Sequence, residues 1–182
     1  RAGFLALALL AVMPIYYGHM FINPKDVPFA VAMLGVTLLI GRTLAEWPKP
    51  RASTVIGLGV TLGLALGTRI GAVIAGPVLV LPLAVLLARE AVRRGPAPVA
   101  REAGGGIARL LPALPIAYAL MIVCWPWAGF EWQNPLLAIR HFGNLDFDGQ
   151  VLFEGEVRPA ADMPGSYLPE LLVRQLPELV LT

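Results

Sequence analysis

The sequence is poor in charge and nearly devoid of cysteine. Of its 182 residues only 14% are Asp, Glu, Lys or Arg, against about 25% in an ordinary soluble domain. So few charges cannot clothe a soluble globule, and a disordered tail would be richer in charge and poorer in apolar residues. The single cysteine, Cys124, stands in an apolar run. It has no internal partner, which excludes a disulfide scaffold. Signature motifs are missing as well. There is no P-loop, GxGxxG, HExxH or GxSxG, and without a Walker motif nothing points to ATP hydrolysis.

What remains is apolar. Hydrophobic residues make up 57% of the chain, with 19 glycines besides, and the mean hydropathy is +0.72. Counting glycine and leaving out tyrosine, the apolar share is roughly 65%, where soluble domains sit at about 45–50%. A small soluble domain has too much surface for its volume to hide that share. A bilayer removes the need to hide it. The expectation is an all-α integral membrane protein with about five to six spans. The chain opens on Arg1 before one apolar run and stops at Thr182 inside another, so it reads as an internal stretch of a longer protein. The opening run does not read as a signal peptide, since no polar region with a small-residue cleavage site follows it.

Apolar runs and polar breaks divide the chain into expected spans at 2–17, 24–41, 52–68, 70–88 and 110–128, an external loop at 129–166, and the start of a further helix at 167–182. Asn23-Pro24 announces the second span, because Asn is a good N-cap and Pro suits the first helical position. The third carries Gly57, Gly59, Gly63 and Gly67, small residues whose spacing lets helices approach closely in lipid. The fourth contains Pro77 and Pro82, and Trp125 and Trp127 close the fifth as an interfacial anchor. The breaks at 42–51 and 89–109 are read as loops, the second for its Gly-Pro-Ala-Pro and Gly-Gly-Gly stretches.

Those two breaks hold eight of the 14 Lys and Arg. The positive-inside rule makes their side cytoplasmic, so the breaks at 19–26, at Arg69 and at 129–166 face outward. The acidic segment 129–166 is too long for a turn and is expected to fold as a small external element. Within it, Asp146-Phe147-Asp148-Gly149 reads as an Asp-Gly turn, because the further ligands of a calcium loop are missing. In 167–182, Glu170, Arg174 and Glu178 are spaced by four and fall on one helical face.

Three groups of residues suit chemistry. His19, Asn23, Lys25 and Asp26 crowd one outward helix start. Capping and anchoring is one reading, an external site for a charged ligand the other: Lys25 contacts a phosphate as a point charge, and Asp26 binds sugar hydroxyls or orients Lys25. A lone histidine such as His19 is more often structural than catalytic. Arg69, between two apolar runs, either snorkels to the interface or binds phosphate through its guanidinium. His141 lies in the acidic segment, and two histidines in separate outer segments are a weak signal for zinc. No metal is assigned.

The run Gly18-His19-Met20-Phe21-Ile22-Asn23-Pro24-Lys25-Asp26-Val27-Pro28-Phe29 resembles a segment of bacterial family-39-type glycosyltransferases, relatives of the protein O-mannosyltransferases and of aminoarabinose transferase. Gly67-Thr68-Arg69, Arg140-His141-Phe142, Phe147-Asp148-Gly149, Val151-Leu152-Phe153-Glu154-Gly155-Glu156 and Tyr167-Leu168-Pro169 extend the similarity in order along nearly the whole chain. The resemblance implies a GT-C-type multi-helix transmembrane bundle in a bacterial inner membrane, with its site facing the periplasm. It implies transfer of a sugar from a polyprenyl-phosphate donor to a protein, lipid or glycan acceptor, generally with inversion. It makes Asp26 a catalytic-site residue but not the sole base, the principal base belonging to a first external loop upstream of this stretch. Lys25 and Arg69 match as donor-phosphate ligands. Asn23 is a further site candidate, His19 and His141 are weaker ones, and Tyr167 matches a position tied to the acceptor or lipid. The donor is already activated, so no ATP or other cofactor is expected, and no nucleic acid.

Two other classes compete: a multi-span transporter or permease, and a non-catalytic membrane scaffold with an external binding loop. Transporters place charges near the bilayer midplane, whereas Lys25, Asp26 and Arg69 fall at run boundaries. A scaffold has no reason to bring those three together.

Overall fold

In a computed structural model of the chain, residues 2–11, 13, 18, 21–143 and 149–175 are described. They are mostly helical. The chain divides into two compact units, residues 23–139 and residues 1–22 with 140–182.

The larger unit begins with α2 (Asp26–Ala45), following α1 (Ala2–Ala11) of the other unit. Then come α3 (Ala52–Thr68), a 3-10 turn (Ile70–Ile74), α4 (Ala75–Arg94), α5 (Pro96–Leu110), α6 (Ala113–Cys124), the short α7 (Trp127–Phe130) and α8 (Asn134–Gly143), whose residues from Arg140 on count with the smaller unit. Three helical stretches are long and apolar enough to cross a membrane: Asp26–Ala45, Ile70–Arg94 and Pro96–Cys124; α3 is apolar but shorter. In the most apolar part of each long stretch only 17% of the residues are buried within the protein. Leu38, Val80 and Leu81 are more than half exposed. Such a surface is inside out by the standard of a soluble domain and matches a hydrocarbon solvent.

The interior is correspondingly lean. Ala32, Val36 and Ile40 of α2 meet Leu58 and Ala65 of α3, with Ala72 and Ala75 beside them. Alanine and glycine predominate because the helices touch backbone to backbone. A methyl added at Gly63 would stand 2.6 Å from the Ala117 carbonyl oxygen, and one at Gly59 2.8 Å from that of Ala113. Gly67 faces Met121 and Cys124 in the same way. Each four-residue step along α3 thus matches a four-residue step along α6 in the same direction, so the two helices run parallel. The α2–α3 pair runs the other way: Gly57 meets Leu39, and Gly35 meets Thr61. The glycine stripe read from the sequence is therefore a two-sided seam, packed on α6 and on α2.

Several boundaries differ from the sequence reading. α2 starts at Asp26 rather than at Pro24; Pro24 and Lys25 form a turn that precedes it. The stretch 89–109, expected as a loop, is helical apart from Gly95. Gly95 has φ +86° and ψ 156°, a region essentially only glycine enters, and Pro96 starts α5 where its missing N–H costs nothing. One glycine reverses the chain, so no long loop is needed. Gly104, Gly105 and Gly106, read as turn-forming, lie within α5. Gly106 seats the Trp47 ring, whose carbons would stand 2.7 Å from an added methyl. The expected span 110–128 is interrupted at Pro112, and α6 ends at Cys124.

In the smaller unit, β1 (Gln150–Phe153) pairs antiparallel with β2 (Glu156–Pro159), Phe153 opposite Glu156. A two-residue turn joins them, with φ 52° at Glu154 and 84° at Gly155. Positive φ at both central residues is the geometry that matches strand twist in a tight hairpin. The Asp-Gly turn expected at Asp148-Gly149 involves residues 144–148, which lie outside those described. A 3-10 turn (Ala160–Asp162) and α9 (Tyr167–Gln175) follow. Phe153 is buried and meets the Tyr167 ring edge-on at 5.4 Å. On α9, Arg174 approaches Glu170 at 3.4 Å, the expected one-face pairing, and also Glu154 at 3.8 Å. Glu178 lies outside the described residues.

Candidate functional site

The start of α2 is built by Asn23. Its side-chain oxygen accepts the Lys25 N–H at 3.3 Å, and its carbonyl accepts the Asp26 N–H at 3.2 Å. This local turn delivers Asp26 to the first turn of the helix, where the dipole favours a carboxylate. Lys25, one residue earlier, is exposed.

Arg69 reaches the same place from another element. It is the extended residue between α3 and the 3-10 turn, with φ −147° and ψ 129°. Its N–H donates to the Ala65 carbonyl at 2.9 Å, and its own carbonyl accepts the Ala72 N–H at 3.1 Å. The backbone is thus held on both sides, and the guanidinium forms a salt bridge from Nη2 to Oδ1 of Asp26. The two side chains are 45% and 31% exposed. A pair this open contributes about 0.2–1 kcal/mol, too little to hold the bundle when the α3–α6 seam runs along most of both helices. The arrangement positions charge more than it stabilises the fold.

Counting Lys25, Asp26 and Arg69, this end of the unit is net positive, and a guanidinium carries five N–H donors, more than one carboxylate oxygen uses. An anion is the natural guest of such a cluster. The α3–α6 register brings Trp125 and Trp127 to the same end, their rings 5.3 Å apart. Paired tryptophans at helix ends suit a membrane–water interface.

Of the residues singled out in the sequence, Asp26 and Arg69 meet in the ion pair, and Asn23 and Lys25 precede Asp26 in the turn that starts α2. His19 lies outside the described residues. His141 sits in the last turn of α8 with its ring 5.6 Å from that of Phe142. Tyr167 stands at the start of α9 against Phe153 in the smaller unit.

Sequence reasoning missed a second polar constellation at the other end of α2. Arg94 bonds both oxygens of Glu102, at 3.0 and 2.9 Å, and its Nε bonds Glu90 at 2.9 Å. The four-residue spacing of Glu90 and Arg94 was visible, but only the reversal at Gly95 brings Glu102 to them. Nearby, Glu46 accepts the Arg51 N–H at 2.8 Å. That bond to the backbone, chiefly, holds the Glu46 carboxyl below its ordinary pKa.

Comparison of the chain with family models, with curated proteins and with solved structures returns no match.

Proposed function

We propose that this chain forms part of a membrane glycosyltransferase that moves a sugar from a polyprenyl-phosphate donor to a protein, lipid or glycan acceptor on the non-cytoplasmic face of a bacterial inner membrane. The reading rests on the ordered resemblance of its motifs to the family-39-type enzymes. The salt bridge between Asp26 and Arg69 is the observation that supports it best. It gathers a carboxylate and a guanidinium, with Lys25 adjacent, at the ends of apolar helices. A permease would hold such charges near the midplane.

In this reaction the acceptor hydroxyl oxygen attacks the anomeric carbon. The bond from that carbon to the phosphate oxygen breaks, and the polyprenyl phosphate leaves with the electron pair. A base takes the hydroxyl proton. Lys25 and Arg69 meet the charge that grows on the departing phosphate, where fixed donors help most. Asp26 aims the Arg69 guanidinium, leaving deprotonation of the acceptor to another carboxylate of the enzyme. With the basic segment 42–51 and the arginines before the reversal at Gly95 (Arg89, Arg93 and Arg94) on the cytoplasmic side, this cluster faces the periplasm.

The test is sugar transfer from a radiolabelled polyprenyl-phosphate donor by the full-length protein in proteoliposomes. Asp26→Asn and Arg69→Ala are each expected to lower transfer by a hundredfold or so, the scale of losing a transition-state donor, at unchanged expression. Transfer at the wild-type rate in both variants would overturn the roles assigned, and no transfer by the wild type with any such donor would overturn the activity.

A further inference from the structure

One side of α4 is an exposed stripe that changes character along its length. Val78, Leu81 and Val85 follow one another at three- and four-residue steps, and the same steps lead on to Arg89, Val92 and Arg93. That spacing sets all six on one side of the helix, and all six are exposed. Leu86, Glu90 and Arg94 turn instead toward α2 and α5, where they line a cleft with Leu44 and Trp47. The two arginines of the stripe are poorly neutralised. Arg89 forms no salt bridge among the described residues. Arg93 comes within 3.8 Å of Glu90, beyond hydrogen-bond reach, while the Arg94 Nε bonds the same carboxylate at 2.9 Å. Like charges one turn apart repel, and the neighbourhood gives no relief. At this end of α2 and α4, Arg42, Lys49, Arg51, Arg89, Arg93 and Arg94 face only Glu46, Glu90 and Glu102.

We propose that this stripe binds an anionic phospholipid. A phosphate between Arg89 and Arg93 accepts N–H groups from both guanidiniums, each a planar fork of five donors, and removes their mutual repulsion. One acyl chain runs back along Val85, Leu81 and Val78. From Arg89 to Val78 is about 16 Å of helix, close to one leaflet of a hydrocarbon core about 30 Å thick. The charge balance selects the class of lipid. A phosphatidylglycerol headgroup brings a net negative charge to an end where cations outnumber anions, whereas ethanolamine and choline headgroups bring a further cation along with their phosphate. Inorganic phosphate carries the charge but has nothing to lay on the three aliphatic side chains. The place agrees, since basic side chains just beyond an apolar helix face are where anionic headgroups gather.

The experiment is native mass spectrometry of the full-length protein, delipidated in detergent and titrated with phosphatidylglycerol, phosphatidylethanolamine or phosphatidylcholine of identical acyl chains. The expected result is at least about fivefold tighter retention of phosphatidylglycerol, the scale of a single arginine at an anionic surface. Arg89→Gln with Arg93→Gln is expected to erase that preference while leaving phosphatidylcholine retention as it was, which also shows the variant folded. Arg101→Gln with Arg109→Gln removes the same charge from exposed positions of α5 and is expected to keep the preference. Inorganic phosphate in large excess is expected not to displace the lipid. Equal retention of the three lipids by the wild type, or retention of none, overturns the proposal. A preference unmoved by the Arg89 and Arg93 pair, or erased equally by the Arg101 and Arg109 pair, overturns the site. Displacement by inorganic phosphate overturns the lipid as its occupant.

Discussion

Arg69 lies opposite Asp26 because the antiparallel register that sets Leu39 on Gly57 and Gly35 on Thr61, carried two further turns along both helices, ends at that level. The salt bridge is therefore a product of the α2–α3 packing and not its cause. Asp26→Asn is expected to change thermal stability by no more than about 1 kcal/mol, read from the unfolding midpoint in detergent. Exchanging the charges, Asp26→Arg with Arg69→Asp, should keep the fold and still abolish sugar transfer, since the guanidinium then sits on the wrong element. A swapped pair with wild-type transfer would show that only the pairing matters.

The seam between α3 and α6 is the most sensitive part of the larger unit. A methyl at Gly63 has no room beside the Ala117 carbonyl, which is backbone and cannot rotate aside. Gly63→Ala is expected to cost at least about 1–3 kcal/mol, the range for overpacking. Gly41→Ala in α2, where an added methyl meets nothing within 4 Å, serves as the control. It should be neutral or gain up to about 1 kcal/mol from helix propensity. Equal unfolding midpoints for the two variants would refute the close approach of α3 to α6.

Glu46 gives a pH dependence with a definite sign. Its carboxyl is held below its ordinary pKa, first by the bond from the Arg51 N–H. The stabilisation is fully present above the ordinary glutamate pKa of about 4.3 and is lost as pH falls through the lowered folded value. Hydrogen exchange of the Arg51 amide should lose protection on acidification through that window, beyond the intrinsic change in exchange rate. Glu46→Gln should show no such step. A step of the same size in the Gln variant would assign the effect to another group.

The hairpin turn is written for positive φ. Gly155→Ala places a Cβ where φ is +84° and is expected to weaken the hairpin by about 1–2 kcal/mol. Glu154→Asn, the residue preferred at the first position of such a turn, should strengthen it slightly even though it removes the 3.8 Å approach of Arg174, an exposed pair of little worth. Amide exchange at Val151 and Arg158, a hydrogen-bonded pair of the ladder, reads both effects. A Gly155→Ala variant as protected as the wild type would exclude this turn geometry.

Much of the fold was legible in the sequence, because a span depends on composition and a close helix contact on small residues at helical spacing. The run 52–68 and its glycines are the plainest case. The stretch 89–109 misled because arginine, glycine and proline there have two uses. Charges mark a loop or a hydrated helix, and Gly106 marks a turn or a seat for a ring. The choice fell to Trp47, a residue far away in sequence. Of the candidate site, the residue types and their position at helix ends could be read, and their grouping could not.

By itself the sequence determined a helical chain with an apolar exterior, the glycine seam, and charges gathered in the breaks between apolar runs, since each follows from composition and local periodicity. The tertiary structure alone decided which side chains meet. Asp26 finds Arg69, Glu102 joins Glu90 on Arg94, and the Trp47 donor is left buried without a partner. Those meetings depend on the register between helices, which is set by interdigitation along the whole seam and by a single reversal at Gly95, and no local pattern encodes a register.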